Sequence, residues 1–427
     1  MKGKLAINGG KKTVPDGIHK GWPILTDVDK RAIMVVLDRN IIAGVEGPEA
    51  LGLEKDFAEL IGAKYAMATG SGTSAIHCAL YAASVEPGDE VITAAFSFSG
   101  SFHPILQQNA IPVFVDIDPH TYTIDVAQIE AKISEKTKVL LPVHIHGMPA
   151  DMDAINDLAA KHGLTVIEDA CQAHGASYKG RQVGTLSAAG TFSLNWTKNL
   201  SGGEGGILVT SNEELLENAR QFRVFGESPT GHIGKIREYT VYSVGYQYRT
   251  QELPAALARS QLKRLGDINR NNRRNCEYLS KQLQSISWID PPYVPKDRTT
   301  IYHKYRFRFK PDVLGLRIAP REFRNRLYDA LEAEGVKVMI WHVDPLPAFP
   351  IFQEKVGWGK GCPWSCKHYG KSISYRREDY PETTRLLDES LVIGGESTPL
   401  YSQDLKVIEY YVEAIQKVSD NIDEILI

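Results

Sequence analysis

The chain has 427 residues, more than the roughly 250 to 300 over which a single hydrophobic core keeps growing, so two domains are expected. Its 43% hydrophobic and 24% charged residues describe a globular protein, neither disordered nor fibrous. The formal net charge is −3 with both signs scattered, which excludes a basic footprint for nucleic acid or an anionic membrane and leaves small molecules and a second copy of the chain as the expected partners.

At the N-terminus, Leu5-Ala6-Ile7 is too short an apolar run for a signal-peptide core, and no run anywhere reaches the roughly 18 apolar residues of a membrane span. Five cysteines, an odd count in a long chain, fit reduced thiols, so a cytoplasmic protein is expected. Apolar residues recur at helical spacing over 30–37 and 52–61, with a loop at 41–48 between them. Tyr65 to Thr69 reads as a strand, Gly70-Ser71-Gly72 as a tight turn, and Thr73 to Ser84 as a helix capped by Thr73 or Ser74. Strands at 90–95, 111–116, 138–144 and 164–168 then alternate with helices at 99–109, 125–133 and 151–161. Strands rich in Val, Ile and Leu alternating with helices of about ten residues predict an α/β fold, a mostly parallel sheet sandwiched by helices. Ligands collect beyond the carboxyl ends of such strands.

Strand-like Thr191 to Asn195 follows, then Lys198 and a glycine-rich turn, a strand at 206–210 and a helix at 213–222. Residues 223–248 are irregular and rich in Gly and Tyr, the pattern of a binding loop. A helical pattern from Glu252 to about Gln284, broken near Gly266, leads to Asp290-Pro291-Pro292, where composition changes. The expected division is a large domain over 1–288 and a smaller C-terminal α+β domain over 289–427, the latter with a strand at 302–310, a helix at 320–334 and a strand at 336–342. Its stretch 357–381, rich in Gly, Trp, Cys and Tyr, is expected to face the substrate or a partner subunit, with a surface flap as the alternative. Within it Cys362 and Cys366 lack the second ligand pair of a structural zinc site, so no metal is expected.

Three motifs carry chemistry. Gly70-Ser71-Gly72-Thr73-Ser74, between strand and helix, offers unpaired N–H groups and hydroxyls to a phosphate. With Ala75 it also matches the Gly-x-Gly-x-x-Ala dinucleotide fingerprint, but the acid required at the end of the next strand is missing, which disfavours a nicotinamide oxidoreductase. The strand over 166–168 runs into Asp169, a carboxylate that needs a cation or hydrogen-bond donors where it is buried. Lys198 supplies an amine, and Phe96 and Phe98 end an intervening strand. An anion cradle, a flat apolar surface, a carboxylate and an amine are what pyridoxal 5′-phosphate requires.

Ser-Gly-Thr-Ser-Ala at 71–75, Glu-Asp-Ala-Cys-Gln-Ala-His-Gly at 168–175, Thr-Lys-Asn-Leu-Ser-Gly-Gly-Glu-Gly-Gly at 197–206 and Gly-Tyr-Gln-Tyr-Arg at 245–249 resemble the sugar and cyclitol aminotransferases of the DegT/StrS group, which have the aspartate aminotransferase-like fold type I. The resemblance implies that Lys198 carries the cofactor as a Schiff base and that Asp169 pairs with its ring nitrogen. It places Gln172 at the ring hydroxyl, Gly72, Thr73 and Ser193 at the phosphate, and Phe98, or in second place Phe96, against the ring. It also implies a homodimer with shared active sites, in which Gln247 stands where the family has an asparagine reaching the neighbour's phosphate. His144, His146, Asn195, Trp196 and His342 are candidate substrate contacts. The implied reaction moves an amino group from glutamine or glutamate to a keto-cyclitol or keto-sugar. A scyllo-inosose-like ketone is favoured over a nucleotide-linked keto sugar, and an amino-hydroxybenzoate synthase or a non-catalytic cofactor-binding sensor are the alternatives.

Overall fold

The computed structural model describes residues 3–42, 47–228, 232–233, 236–237 and 240–426, with only the backbone at 232–233 and 236–237. Parts of the loops expected at 41–48 and 223–248 therefore lie outside the described residues. In the N-terminal half, helices α1 (Asp27–Arg39) and α2 (Pro48–Ile61) precede strand β1 (Tyr65–Thr69) and helix α3 (Gly72–Ala82). Strands β2 (Glu90–Ala94), β3 (Ile111–Val115) and β4 (Thr137–Leu141) follow, then helix α4 (Met152–His162) and strands β5 (Thr165–Asp169), β6 (Ala189–Ser193) and β7 (Gly206–Thr210). These strands form one seven-stranded sheet in the order β1-β7-β6-β5-β4-β2-β3. Only β7 runs against the others, pairing antiparallel with both β1 and β6, while β2, β3, β4, β5 and β6 pair in parallel.

Neighbouring residues on a strand point to opposite faces, which explains why the apolar runs are continuous rather than alternating. Ile92, Leu140, Val166 and Ile207 pack into one buried cluster with Leu53 and Phe57 of α2. Val91, Val139, Ile167 and Leu208 pack into a second, with Ile76 and Leu80 of α3 and Leu216 of the helix α5 (Glu213–Arg223). The α/β sandwich expected from the sequence is the one observed.

Local differences have local causes. Helix α3 starts at Gly72, one residue earlier than expected, because Ser71 is extended (φ −165°) and its Oγ accepts from Ser74 N at 3.0 Å. Ser71 is thus the N-cap, and the Ser74 hydroxyl is turned back onto Ser71 O at 2.8 Å, away from any phosphate. The long helical pattern divides into α6 (Glu252–Leu262) and α7 (Leu265–Leu283) just before Gly266. The strand expected from 302 begins only at Tyr305, as β8 (Tyr305–Phe309), since Tyr302 has φ 45° and turns the chain.

The C-terminal half pairs β8 antiparallel with Ile289–Asp290 and Ser390–Ile393, and Ser390–Ile393 with Val338–Met339. Its core joins Phe307, Phe309, Phe323, Leu327, Ile408 and Tyr411, and takes in Leu5 and Val14 from the chain's beginning. Residues 357–381 run the other way, onto the large sheet. Trp364, Tyr369, Tyr375 and Tyr380 are buried with Phe102 and Phe114, and Tyr375 OH donates to Pro112 O on β3 at 2.9 Å. Asp116, just past β3, accepts from Thr383 N at 2.9 Å and Glu382 N at 2.8 Å. Since β3 is the edge strand of the sheet, this stretch covers an edge that would otherwise offer unpaired backbone groups to another chain. None of its residues lines the cavity described below, so it does not face the substrate in this chain's own site.

Candidate active site

A cavity of about 450 Å³ opens at the carboxyl ends of β1, β2, β5 and β6, and Lys198 and Asp169 both line it. Lys198 sits in a turn closed by its own N–H to Asn195 O at 2.9 Å, and Asn195 Oδ1 accepts from Thr197 N at 3.0 Å. Side chains distant in sequence hold the turn's carbonyls. Trp22 Nε1 donates to Trp196 O (2.9 Å) and Lys198 O (3.1 Å), and Tyr401 OH donates to Thr197 O (2.5 Å). The Lys198 amine is thereby aimed from a fixed backbone. Burial lowers its pKa below the ordinary lysine value, while Cys171, Asp169, Glu396 and Glu204 pull in the opposite direction. A buried amine so perturbed spends more of its time neutral, the form in which it is a nucleophile or a base.

Asp169 ends β5, 3% exposed. Its Oδ2 accepts from Ser101 Oγ at 2.6 Å and its Oδ1 from Cys171 N at 3.1 Å, and Ser97 Oγ lies 2.7 Å from Ser101 Oγ. Among the described residues no cation pairs with it, so its charge is held by hydroxyl and amide donors while it faces the cavity. Gln172 lies beside it, with Oε1 accepting from His146 N at 2.9 Å, which orients the amide group.

Opposite, the N-terminus of α3 supplies an anion cradle. Ser71 N and Ser74 N are taken up in the capping box, whereas the N–H groups of Gly72 and Thr73 have no protein acceptor among the described residues. These two N–H groups, the Thr73 hydroxyl and Ser193 Oγ border the same cavity. Gly72 is demanded by packing: a Cβ there would stand 2.7 Å from Cys171 Sγ and 2.8 Å from Ser193 Cβ. Gly100 similarly fits against Thr73 Oγ1 and the Phe98 ring, a Cβ there meeting them at 3.1 and 3.2 Å. Phe98 lines the cavity with 54% of its surface exposed, while Phe96 is buried behind, against His146 and Trp341. The donor set suits a flat, phosphate-bearing heterocycle: orphan amides for the phosphate, an aromatic face for the ring, a carboxylate and an amine.

Asn195 and Trp196 also line the cavity, Asn195 Nδ2 donating to Glu204 Oε1 at 2.8 Å. Three other expected contacts do not line it. His144 is fully buried, with Nδ1 accepting from Ala150 N at 3.0 Å and Nε2 at 3.0 Å from Glu168 Oε2, so the neutral ring donates to that carboxylate. Glu168 and Asp169 point to opposite faces of β5, and His144 meets the one directed away from the cavity. His342 lies tilted against Trp341, ring centres 4.1 Å apart, and His146 lies beneath Gln172, its ring accepting from Arg306 Nε at 3.1 Å. Gln247 is exposed and bridges to Val224, outside this chain's own cavity. Ser101, Cys171, Glu204, His303, Lys304, Trp341 and Glu396, not singled out from the sequence, also line the cavity. His303 is 6% exposed, its Nδ1 has no hydrogen-bond partner among the described residues, and burial holds its ring well below the usual histidine pKa.

A model of the DegT/DnrJ/EryC1/StrS aminotransferase family matches residues 24–377. A "Pleiotropic regulatory protein" of Geobacillus stearothermophilus is 35% identical over 92% of this chain and 94% of its own. The L-glutamine:scyllo-inosose aminotransferase of Streptomyces griseus is 32% identical across 100% of both chains. A UDP-N-acetyl-3-dehydro-alpha-D-glucosamine 3-aminotransferase of Acidithiobacillus ferrooxidans is 34% identical over 76% of this chain and 80% of its own. Among solved structures, 3-amino-5-hydroxybenzoic acid synthase superposes with a TM-score of 0.82 at 26% identity, covering 96% of this chain and 100% of that one. The fold, the cavity and these matches agree: the chain belongs to the DegT/DnrJ/EryC1/StrS family of sugar and cyclitol aminotransferases and is an aminotransferase dependent on pyridoxal 5′-phosphate.

Proposed function

We propose that the protein transfers an amino group from L-glutamine or L-glutamate to the ketone of a free cyclitol or sugar, a scyllo-inosose-like ketone being favoured, in the biosynthesis of an aminoglycoside or another secondary metabolite. The observation that carries this reading is the cavity wall. Beyond Lys198 it holds one cation, Lys304, against the carboxylates Glu204 and Glu396 and the amide of Asn195. Carboxylates and amides accept from and donate to a ring of hydroxyls, and the carboxylates repel a nucleotide diphosphate. The full-length match to the Streptomyces griseus enzyme supports the same choice.

In this reading Gly72 N, Thr73 and Ser193 hold the cofactor phosphate, Phe98 lies against the ring, Gln172 binds the ring hydroxyl, and Asp169 keeps the ring nitrogen protonated. When bound, pyridoxal phosphate supplies the electron sink that makes the proton on the donor's amine-bearing carbon acidic. Lys198 Nζ removes that proton as general base and later returns it, which its burial-lowered pKa favours. Ser101 fixes the Asp169 carboxylate. Gln247 serves the neighbouring subunit's phosphate in a homodimer. Support for a dimer comes from α1 and its flanks, where Leu25, Val28, Met34, Val35, Leu37 and Ile42 are each between 44% and 55% exposed.

The test is a screen of keto-cyclitols against nucleotide-linked keto sugars, with glutamine and glutamate each as donor. Turnover confined to the nucleotide-linked acceptors overturns the cyclitol reading. A light-scattering mass of a monomer in the active protein overturns the shared site.

A further inference from the structure

Lys304 stands on the cavity wall with no counter-ion. Its Nζ has a single polar contact, 3.7 Å from Met339 Sδ, lies 5.6 Å from the centre of the Trp341 ring, and pairs with no carboxylate among the described residues. Two residues further along the chain, on β8, Arg306 is 2% exposed and its donors reach neutral acceptors: His146 Nε2 (3.1 Å), Ser390 Oγ (2.6 Å) and Trp341 O (2.8 Å). This corner of the site therefore carries two cations that the fold leaves without an acid, one of them opening onto the cavity. Buried cations are costly unless something neutralises them. The chain even bends to place Lys304, since the left-handed Tyr302 turns His303 and Lys304 out of the strand that would otherwise begin there.

We propose that Lys304 is the anchor for the α-carboxylate of the amino donor, and so the residue that selects amino acids over simple amines as donors. The proposal rests on the aminotransferase reading of this cavity. The donor must bring its α-amine to Lys198, and its carboxylate is attached to the same carbon, within reach of a second lysine on the same wall. A lone ammonium flanked by Trp341 and Met339 suits one carboxylate. A diphosphate calls for several donors, and the carboxylates of Glu204 and Glu396 on the same wall oppose it. The charged groups facing Lys304 are Lys198 and Arg306, which disfavour its proton, and Glu396, which favours it, while the adjacent His303 is held neutral by burial. With burial as the largest cause, they bring its pKa down to about 8. A bound carboxylate reverses that effect, so donor binding and protonation of Lys304 are linked.

The test compares Lys304→Met and Lys304→Arg with the wild type in two assays. In the first, the Michaelis constants for donor and acceptor are measured separately. Loss of one hydrogen bond to a charged group predicts a donor constant raised roughly 10- to 100-fold in Lys304→Met, an acceptor constant within about twofold, and recovery in Lys304→Arg. In the second, calorimetry measures binding of glutarate, an unreactive dicarboxylate, and of uridine diphosphate to the cofactor-loaded protein. Glutarate affinity falls in Lys304→Met. In the wild type it weakens as the pH rises through about 8, and in Lys304→Arg it holds. An unchanged donor constant and unchanged glutarate affinity overturn the proposal. So does a loss confined to uridine diphosphate, which assigns the lysine to an acceptor's diphosphate. Should no donor turn over at all, the functional reading fails, yet glutarate binding still decides whether Lys304 is a carboxylate anchor.

Discussion

Replacing Gly72 by Ala separates packing from ligand approach as reasons for a glycine at this turn. The added Cβ would lie 2.7 Å from Cys171 Sγ, 2.8 Å from Ser193 Cβ and 3.1 Å from Ser193 Cα. Comfortable non-bonded contact needs about 3.5 to 4.0 Å, so the first turn of α3 must withdraw from β6 by roughly 0.7 Å. Overpacking of this kind costs about 1–3 kcal/mol. The same withdrawal carries the free N–H groups of Gly72 and Thr73 out of hydrogen-bonding range of a phosphate seated between α3 and Ser193. Loss of one charge-assisted hydrogen bond predicts a cofactor dissociation constant raised roughly 10- to 100-fold. Removing the sulfur in Gly72→Ala/Cys171→Ala relieves the first contact but not the two with Ser193, so the double variant recovers part of the loss. Thermal unfolding of the apo-protein reads the packing cost and a fluorescence titration with pyridoxal phosphate reads the cradle. Gly72→Ala with unchanged unfolding and unchanged cofactor affinity would refute both the close approach and the assignment of these amides.

Three further outcomes follow from the structure. His144→Ala removes the donor to buried Glu168 and the acceptor for Ala150 N–H, so it lowers stability by about 2–4 kcal/mol in chemical denaturation while the folded enzyme keeps its Michaelis constants. A selective rise in a substrate constant would restore His144 as a substrate contact. Tyr375→Phe strands Trp364 Nε1 and Pro112 O, each at 2.9–3.0 Å from the lost hydroxyl, and is expected to destabilise by about 1–3 kcal/mol and leave catalysis intact, since it acts at the sheet edge. Lys304→Met stabilises the apo-protein near neutral pH. The folded state holds the lysine pKa at about 8 against the ordinary lysine value of 10.5, so the unfolded chain binds the extra proton between those values and wild-type stability rises with pH across that window. The gap between variant and wild type in thermal unfolding should therefore narrow from pH 8 to pH 10.5, and a gap independent of pH would contradict the shift.

The half of the site built from the parallel sheet was legible because its parts sit at predictable places. Asp169 ends a strand, Gly72 and Thr73 begin a helix, and Lys198 follows a strand in a turn just before a glycine-rich stretch. Periodicity located the strands, and the rule that ligands gather at their carboxyl ends did the rest. Strand position alone, however, does not say which face a side chain takes. His144 follows its strand as Asp169 ends its own, yet its ring turns to Glu168 on the far side of the sheet. The wall formed by His303, Lys304, Trp341 and Glu396 was not legible, because it arrives from the second half of the chain. A left-handed residue, Tyr302, sets its geometry, and no pattern in a bulky aromatic announces that conformation. The packing of the 357–381 stretch against the sheet edge was not legible for a related reason. Its aromatics suggested a ligand surface, but an exposed edge strand needs covering as much as a ligand does, and sequence alone does not name the edge.

The central claim is that the amine of residue 198 holds the cofactor across from the carboxylate of residue 169. Its most direct measurement is the visible absorbance of the purified protein loaded with pyridoxal phosphate, before and after L-glutamine or L-glutamate is added. The expected result is a visible band in the wild type that the donor bleaches, and no such band in Lys198→Ala. A band of equal strength in Lys198→Ala would contradict it.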